Sequence, residues 1–140
     1  MDKSTDELMK ILRSKPDADN FLKENENELI HYSLPELLQQ YLTSKNLKKS
    51  DVIRDSYLDR TYAYQIFDGK HKPSRDKLLC LAFGLHLTVD ETQRLLNTAQ
   101  VSRLYPRIKR DILIITCLEK KIKIIACNDM LETNGEPILQ

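Results

Sequence analysis

Apolar side chains recur along the chain at helical spacing, in short runs that mostly open on a small polar residue. Ser4 precedes Leu8, Ile11 and Leu12, with Glu7 three positions after the serine, so the pair reads as a capping box. That helix ends before Pro16, and a second brief one is expected from Asp17 to Asn25, with Phe21 and Leu22 as its apolar residues. Ser33 and Glu36 repeat the box around Pro35, whose missing N–H costs nothing in a first turn. Leu34, Leu37, Leu38, Tyr41 and Leu42 then form one stripe, stopped at Asn46. Ser50 is expected to cap a helix that buries Val52, Ile53 and Tyr57. After a turn opened by Leu58, Asp59 caps a short helix with Ala63, Ile66 and Phe67 inward; Arg60, Thr61, Tyr64 and Gln65 face outward, and Gly69 ends it.

The pattern continues through a basic loop, Lys70-His71-Lys72-Pro73, to Ser74, which caps an apolar helix through Leu78, Leu79, Leu81, Ala82 and Phe83 that Gly84 is expected to close. Thr88 and Glu91 form a third capping box, launching a helix through Leu95 and Leu96 to about Ala99. Beyond Pro106 two patterns compete. Ile108, Ile112, Leu113, Ile115 and Leu118 suit one helix face, whereas 112–117 could pair with 122–127 as a β-hairpin across Glu119-Lys120-Lys121. Polar residues do not alternate cleanly, which favours two helices, the second stopped by Asn134-Gly135. The fold class expected is therefore all-α. Its parts are an N-terminal helical arm over 1–32, a central domain over 33–100 and a C-terminal helical pair over 101–140.

Composition narrows the chemistry. A chain of 140 residues suits one compact domain with small appendages, and three glycines with 31% charged residues favour solvated helices. Net charge is +1, but it is unevenly spread: residues 1–30 carry eight acidic and five basic side chains, and residues 45–77 carry nine basic and five acidic. Cys80, Cys117 and Cys127 are odd in number and lack C-x-x-C spacing, which points to reduced thiols of a cytoplasmic protein and to no metal. Neither a signal-peptide core nor an apolar run of the ~18 residues a membrane span needs is found, so no membrane partner is expected. No Ser/His/Asp, Cys/His or glycine-rich phosphate constellation appears; an enzyme is not expected, nor a cofactor, and His31 and His86 read as structural or idle.

The succession of cap, helix, four-residue turn, second helix, glycine stop, basic loop and Ser-capped apolar helix, in LKKSDVIRDSYLDRTYAYQIFDGKHKPSRDKLLCLAFGL and the following LTVDETQRLL, resembles the lambda-repressor-like, Cro/C1-type (XRE) helix-turn-helix family over about Leu34 to Leu96. With its LYPR-x-x-RD segment, the wider chain is similar to a group of small bacterial regulators of Firmicutes that share an RTYAYQIF-G-K-x-K-PSRDKLL core. The resemblance implies a five-helix DNA-binding domain, sequence-specific transcription regulation on double-stranded DNA, and a homodimer reading two half-sites.

By position in that family, Arg60 and Thr61 open the recognition helix (59–67) and Gln65 follows one turn later. Arg suits guanine O6 and N7, Gln suits adenine N6 and N7, and Thr suits an acceptor or a thymine methyl. The resemblance places Lys49 and Ser50 at phosphate and Lys70, His71, Lys72 and Arg75 along the flanking backbone, with Tyr62 and Tyr64 stacking, donating to phosphate or packing. Ile53, Tyr57 and Phe67 depart from the family's usual small residue, glycine and acidic residue. Those departures motivate an alternative, a protein-interaction adaptor that keeps the fold and binds a protein partner through Tyr57, Tyr62, Tyr64 and Phe67.

Overall fold

The computed structural model describes residues 3–29 and 33–140. The arm boundary expected at residue 32, and His31, lie outside the described residues. Among those described, the chain is all-helical: α1 (Thr5–Ser14), α2 (Ala18–Glu24), a 3-10 turn (Glu26–Glu28), α3 (Leu34–Ser44), α4 (Lys49–Ser56), α5 (Arg60–Phe67), α6 (Arg75–Gly84), α7 (Val89–Thr98), α8 (Lys109–Glu119) and α9 (Ile124–Thr133). None of these helices is long and apolar enough to cross a membrane.

The chain divides into two compact units, Met1–Ile30 and His31–Gln140. In the first, Ser4 and Asp17 cap α1 and α2 by accepting from the N–H groups of Glu7 and Asn20. Neither helix has a buried residue; among the described residues of the unit the buried side chain is Asn25, which accepts from the Lys3 ammonium and donates to the Phe21 carbonyl at 3.0 Å. Among the described residues of this unit the buried group is thus held by a polar clasp, and Leu8, Ile11, Leu12 and Phe21 of α1 and α2 are half-buried.

In the second unit, α6 is central. Its residues from Leu78 to Gly84 are all buried, as required of a helix apolar on every side, and α4, α7 and α9 pack on it. The caps read from the sequence recur here: Ser33, Asp59, Ser74 and Thr88 accept from the N–H groups of Glu36, Tyr62, Lys77 and Glu91, and Glu91 answers by accepting from Thr88 N–H at 2.9 Å. Burial works against the Glu91 charge, but this N–H and the Lys45 ammonium at 2.9 Å outweigh it and hold the carboxyl below its usual range. The segment from residue 101 belongs to the same compact unit as α3–α7.

Four local expectations are corrected. The β-hairpin alternative fails: Ile114, Cys117 and Leu118, then Ile124, Cys127 and Leu131, are buried at helical spacing, where a hairpin would bury alternate residues. Ser50 is not a cap, because α4 starts two residues earlier than that cap implies, at Lys49, after an N-cap at Lys48 that makes no side-chain cap bond. Tyr57 is 65% exposed, since the backbone leaves the helix there with φ 57° and turns the ring outward. Gly84 does not close α6; it is the last helical residue, and the left-handed turn falls on His86 at φ 54°. What glycine supplies at 84 is contact distance, since a Cβ there would sit 2.0 Å from Ser56 Oγ and 2.5 Å from the Val52 carbonyl. The close approach of α6 to α4 is thus made at Gly84, and Ile53 is buried on α4.

All three cysteines are free and buried. Burial pushes the Cys80 thiol up to about 11 and raises Cys127 as well, the latter helped by a hydrogen bond with Cys117.

Candidate functional site

Three residues, Tyr57, Leu58 and Asp59, join α4 to α5, one fewer than the spacing suggests. Tyr57 takes the left-handed conformation and donates its N–H to the Arg54 carbonyl at 3.2 Å, and Asp59 Oδ2 accepts from Tyr62 N–H at 3.0 Å. Inward, Ala63, Ile66 and Phe67 are buried and set the roll of α5. Outward, Arg60 and Thr61 are exposed and Tyr62, Tyr64 and Gln65 are half-buried. At the far end, Gly69 (φ 77°) donates to the Ile66 carbonyl at 3.1 Å, and the chain passes to the exposed loop of Lys70, His71 and Lys72.

Cations and rings alternate across this face. The Arg60 guanidinium lies 5.8 Å from the centre of the Tyr64 ring, one helical turn on. The Tyr62 and His71 rings are 5.3 Å apart and tilted, and the Lys77 ammonium lies 5.8 Å from the same Tyr62 ring. Lys49 sits 5.3 Å above Phe67, and Ser50 is exposed in the first turn of α4. The structure therefore draws Arg60, Thr61, Tyr62, Tyr64, Gln65 and His71 together with Lys77, which the sequence reading left out. Lys77 lies fifteen residues from Tyr62 and on another helix, so only the fold reveals the pair.

Two cations beside this face, Arg54 and the expected contact Arg75, are engaged within the protein. On the outer face of α4 the exposed Arg54 is held by Asp55 at 3.1 Å and Asp51 at 3.2 Å, and these carboxylates raise its pKa, Asp55 foremost. One guanidinium between two carboxylates leaves that face locally acidic. Arg75 is the second case. Its guanidinium turns away from the loop and donates to the carbonyls of Ser102 at 2.9 Å and Arg103 at 3.1 Å and to Asp111 at 2.8 Å. Its neighbour Asp76 receives both Nη groups of Arg110, at 2.9 and 3.0 Å, which raises the Arg110 pKa. Two Arg-Asp dipeptides, 75–76 and 110–111, thus grip each other crosswise and fix the start of α8 to the start of α6.

Among the described residues no group of three or more His, Cys, Asp or Glu could hold a metal ion. What the face offers is a set of exposed donors and ring edges on a helix fixed by buried residues. No protein-family model, no curated protein and no solved structure matches the chain.

Proposed function

We propose that the protein is a sequence-specific DNA-binding transcription regulator of helix-turn-helix type, with α5 as the helix that enters the major groove. The observation that carries this reading is the outer face of α5: Arg60 and Thr61 exposed in its first turn, with Gln65 one turn later, on a helix whose inner face is fully buried. A base edge is read by a donor set held at fixed spacing, and a capped, well-packed helix supplies that spacing. Lys49 and Ser50 at the start of α4, and Lys70, His71 and Lys72 after α5, flank that face in the chain as phosphate contacts; Lys77 joins them through Tyr62. Arg75 has a different task in this reading, since its guanidinium is turned to Asp111 and to the carbonyls of Ser102 and Arg103. A homodimer follows from the small number of base contacts one such helix makes.

The adaptor reading rests on Tyr57, a large ring 65% exposed at a left-handed turn. Phe67, 6% exposed, is not available to a partner as an anchor.

Fluorescence anisotropy against DNA flanking the protein's own gene, at several salt concentrations, separates the two. A DNA reader loses affinity steeply with salt, and Arg60→Ala narrows the gap between specific and random DNA by about 1 to 3 kcal/mol. Affinity that neither responds to salt nor distinguishes sequences overturns the proposal, and salt-insensitive capture of a protein lost on Tyr57→Ala replaces it.

A further inference from the structure

A cleft of about 430 Å³ opens where the end of α4, the turn between α6 and α7 and the turn between α8 and α9 meet. Its floor is apolar: Phe83, Leu87 and Leu118 are nearly buried yet face it, and Val89 and Ile122 complete the walls half-exposed. Such a volume with such a lining suits a small organic molecule rather than a few waters.

The rim differs in chemistry from the floor. It carries Tyr57, His86, Lys121 and Lys123, all exposed. No salt bridge to the Lys121 or Lys123 ammonium occurs among the described residues. The acidic residues on the lining are Asp55, already held by Arg54, and Glu119. Arg54 is shared with Asp51, so the α4 side of the mouth stays acidic; on the α8–α9 side Lys121 and Lys123 outnumber Glu119, and the free charge there is positive. The first turn of α9 adds to it, because its N-cap, Lys123, supplies no side-chain acceptor to the backbone N–H groups behind it.

Tyr57, His86 and Lys121, three of the five non-glycine residues with positive φ among those described, all stand on this rim. Each is the left-handed residue at which a helix ends, so three helix ends bring their side chains to the mouth of one cleft. We infer that the cleft binds a small amphipathic anion, its apolar body on the Phe83, Leu87 and Leu118 floor and its acidic head against Lys121, Lys123 and the start of α9. This site does not depend on the DNA reading of α5.

The probe is 1-anilinonaphthalene-8-sulfonate, titrated by fluorescence into the full chain beside N-phenyl-1-naphthylamine, the same body without the sulfonate. The sulfonate probe is expected to bind one per chain and to be displaced by decanoate. Lys121→Gly keeps the left-handed turn free of strain while removing the ammonium, and Lys123→Gln removes the other. Together they should weaken the sulfonate probe about tenfold or more and leave the uncharged one unchanged. Val89→Trp, which fills the cleft from its edge, should abolish both. Unsaturable binding, or a sulfonate affinity untouched by the lysine pair in a variant that melts like the parent, overturns the inference; the lysine pair keeps it falsifiable if Val89→Trp fails to fold.

Discussion

Removing the Arg75 side chain tests how the C-terminal segment is held. Asp111 is 1% exposed, and its Oδ2 accepts from Arg75 at 2.8 Å and from Tyr105 N–H at 2.9 Å. In Arg75→Ala the Tyr105 bond remains, but the buried carboxylate loses its counter-charge and the carbonyls of Ser102 and Arg103 lose their donors. Breaking a buried pair from one side costs on the order of 3 to 5 kcal/mol, because the remaining charge stays desolvated. Arg75 keeps 22% of its side-chain surface in water, so the lower end applies, about 3 kcal/mol. For a chain of this size that lowers Tm by roughly 10 °C. Urea unfolding followed by circular dichroism measures it. Asp111→Asn and the double variant close a cycle: with the charge gone, Arg75→Ala should cost about 1 kcal/mol, giving a coupling of about 2 kcal/mol. A loss under 1 kcal/mol for Arg75→Ala, or additive costs, would refute the clamp and leave Arg75 free for the phosphate role its position suggests.

Gly84→Ala places a Cβ against the Val52 carbonyl as well as Ser56 Oγ, so it should destabilise by about 3 kcal/mol, and adding Ser56→Ala should not restore the loss, because backbone cannot move aside. Tyr57→Gly relieves a left-handed residue whose ring is mostly in water; thermal melts should show a gain of about 0.5 to 1 kcal/mol, and an accompanying loss of DNA or protein binding would mark the ring as functional. The Glu91 carboxyl titrates lower folded than unfolded, so its contribution is present above the ordinary carboxylate pKa, about 4.3, and is lost as pH falls through the lower folded value; Glu91→Gln should be less stable at pH 7 and should flatten the acid limb of a stability–pH profile.

Much of the helical plan was legible because it is written in local chemistry. Ser4, Asp17, Ser33, Asp59, Ser74 and Thr88 each satisfy the N–H three residues on in their own helix, an event that needs no partner elsewhere in the chain. Helix ends were less legible. Gly69 and Gly135 were readable stops, yet His86, Gln100 and Lys121 terminate helices in the same left-handed way. Each is followed by an apolar residue, Leu87, Val101 or Ile122, whose N–H returns to the carbonyl five positions back. Packing of that next residue, not the intrinsic ease of the turn, sets those stops.

The sequence by itself determined that the described chain is helical, where most of its helices begin, and which side of α5 faces inward, since caps and apolar spacing act over a few residues. Only the tertiary structure decided what the charged residues do. Arg60 and Arg75 look alike as exposed cations near one helix–loop–helix segment, yet Arg75 lies within reach of Asp111, thirty-six residues away, and Arg60 faces outward beside Tyr64. The cleft behind Tyr57 has the same origin: its walls come from five separate helices and their turns, so no local pattern carries it. Charge and apolar surface acquire a role from what lies across the fold, and chain separation hides that from any reading along the sequence.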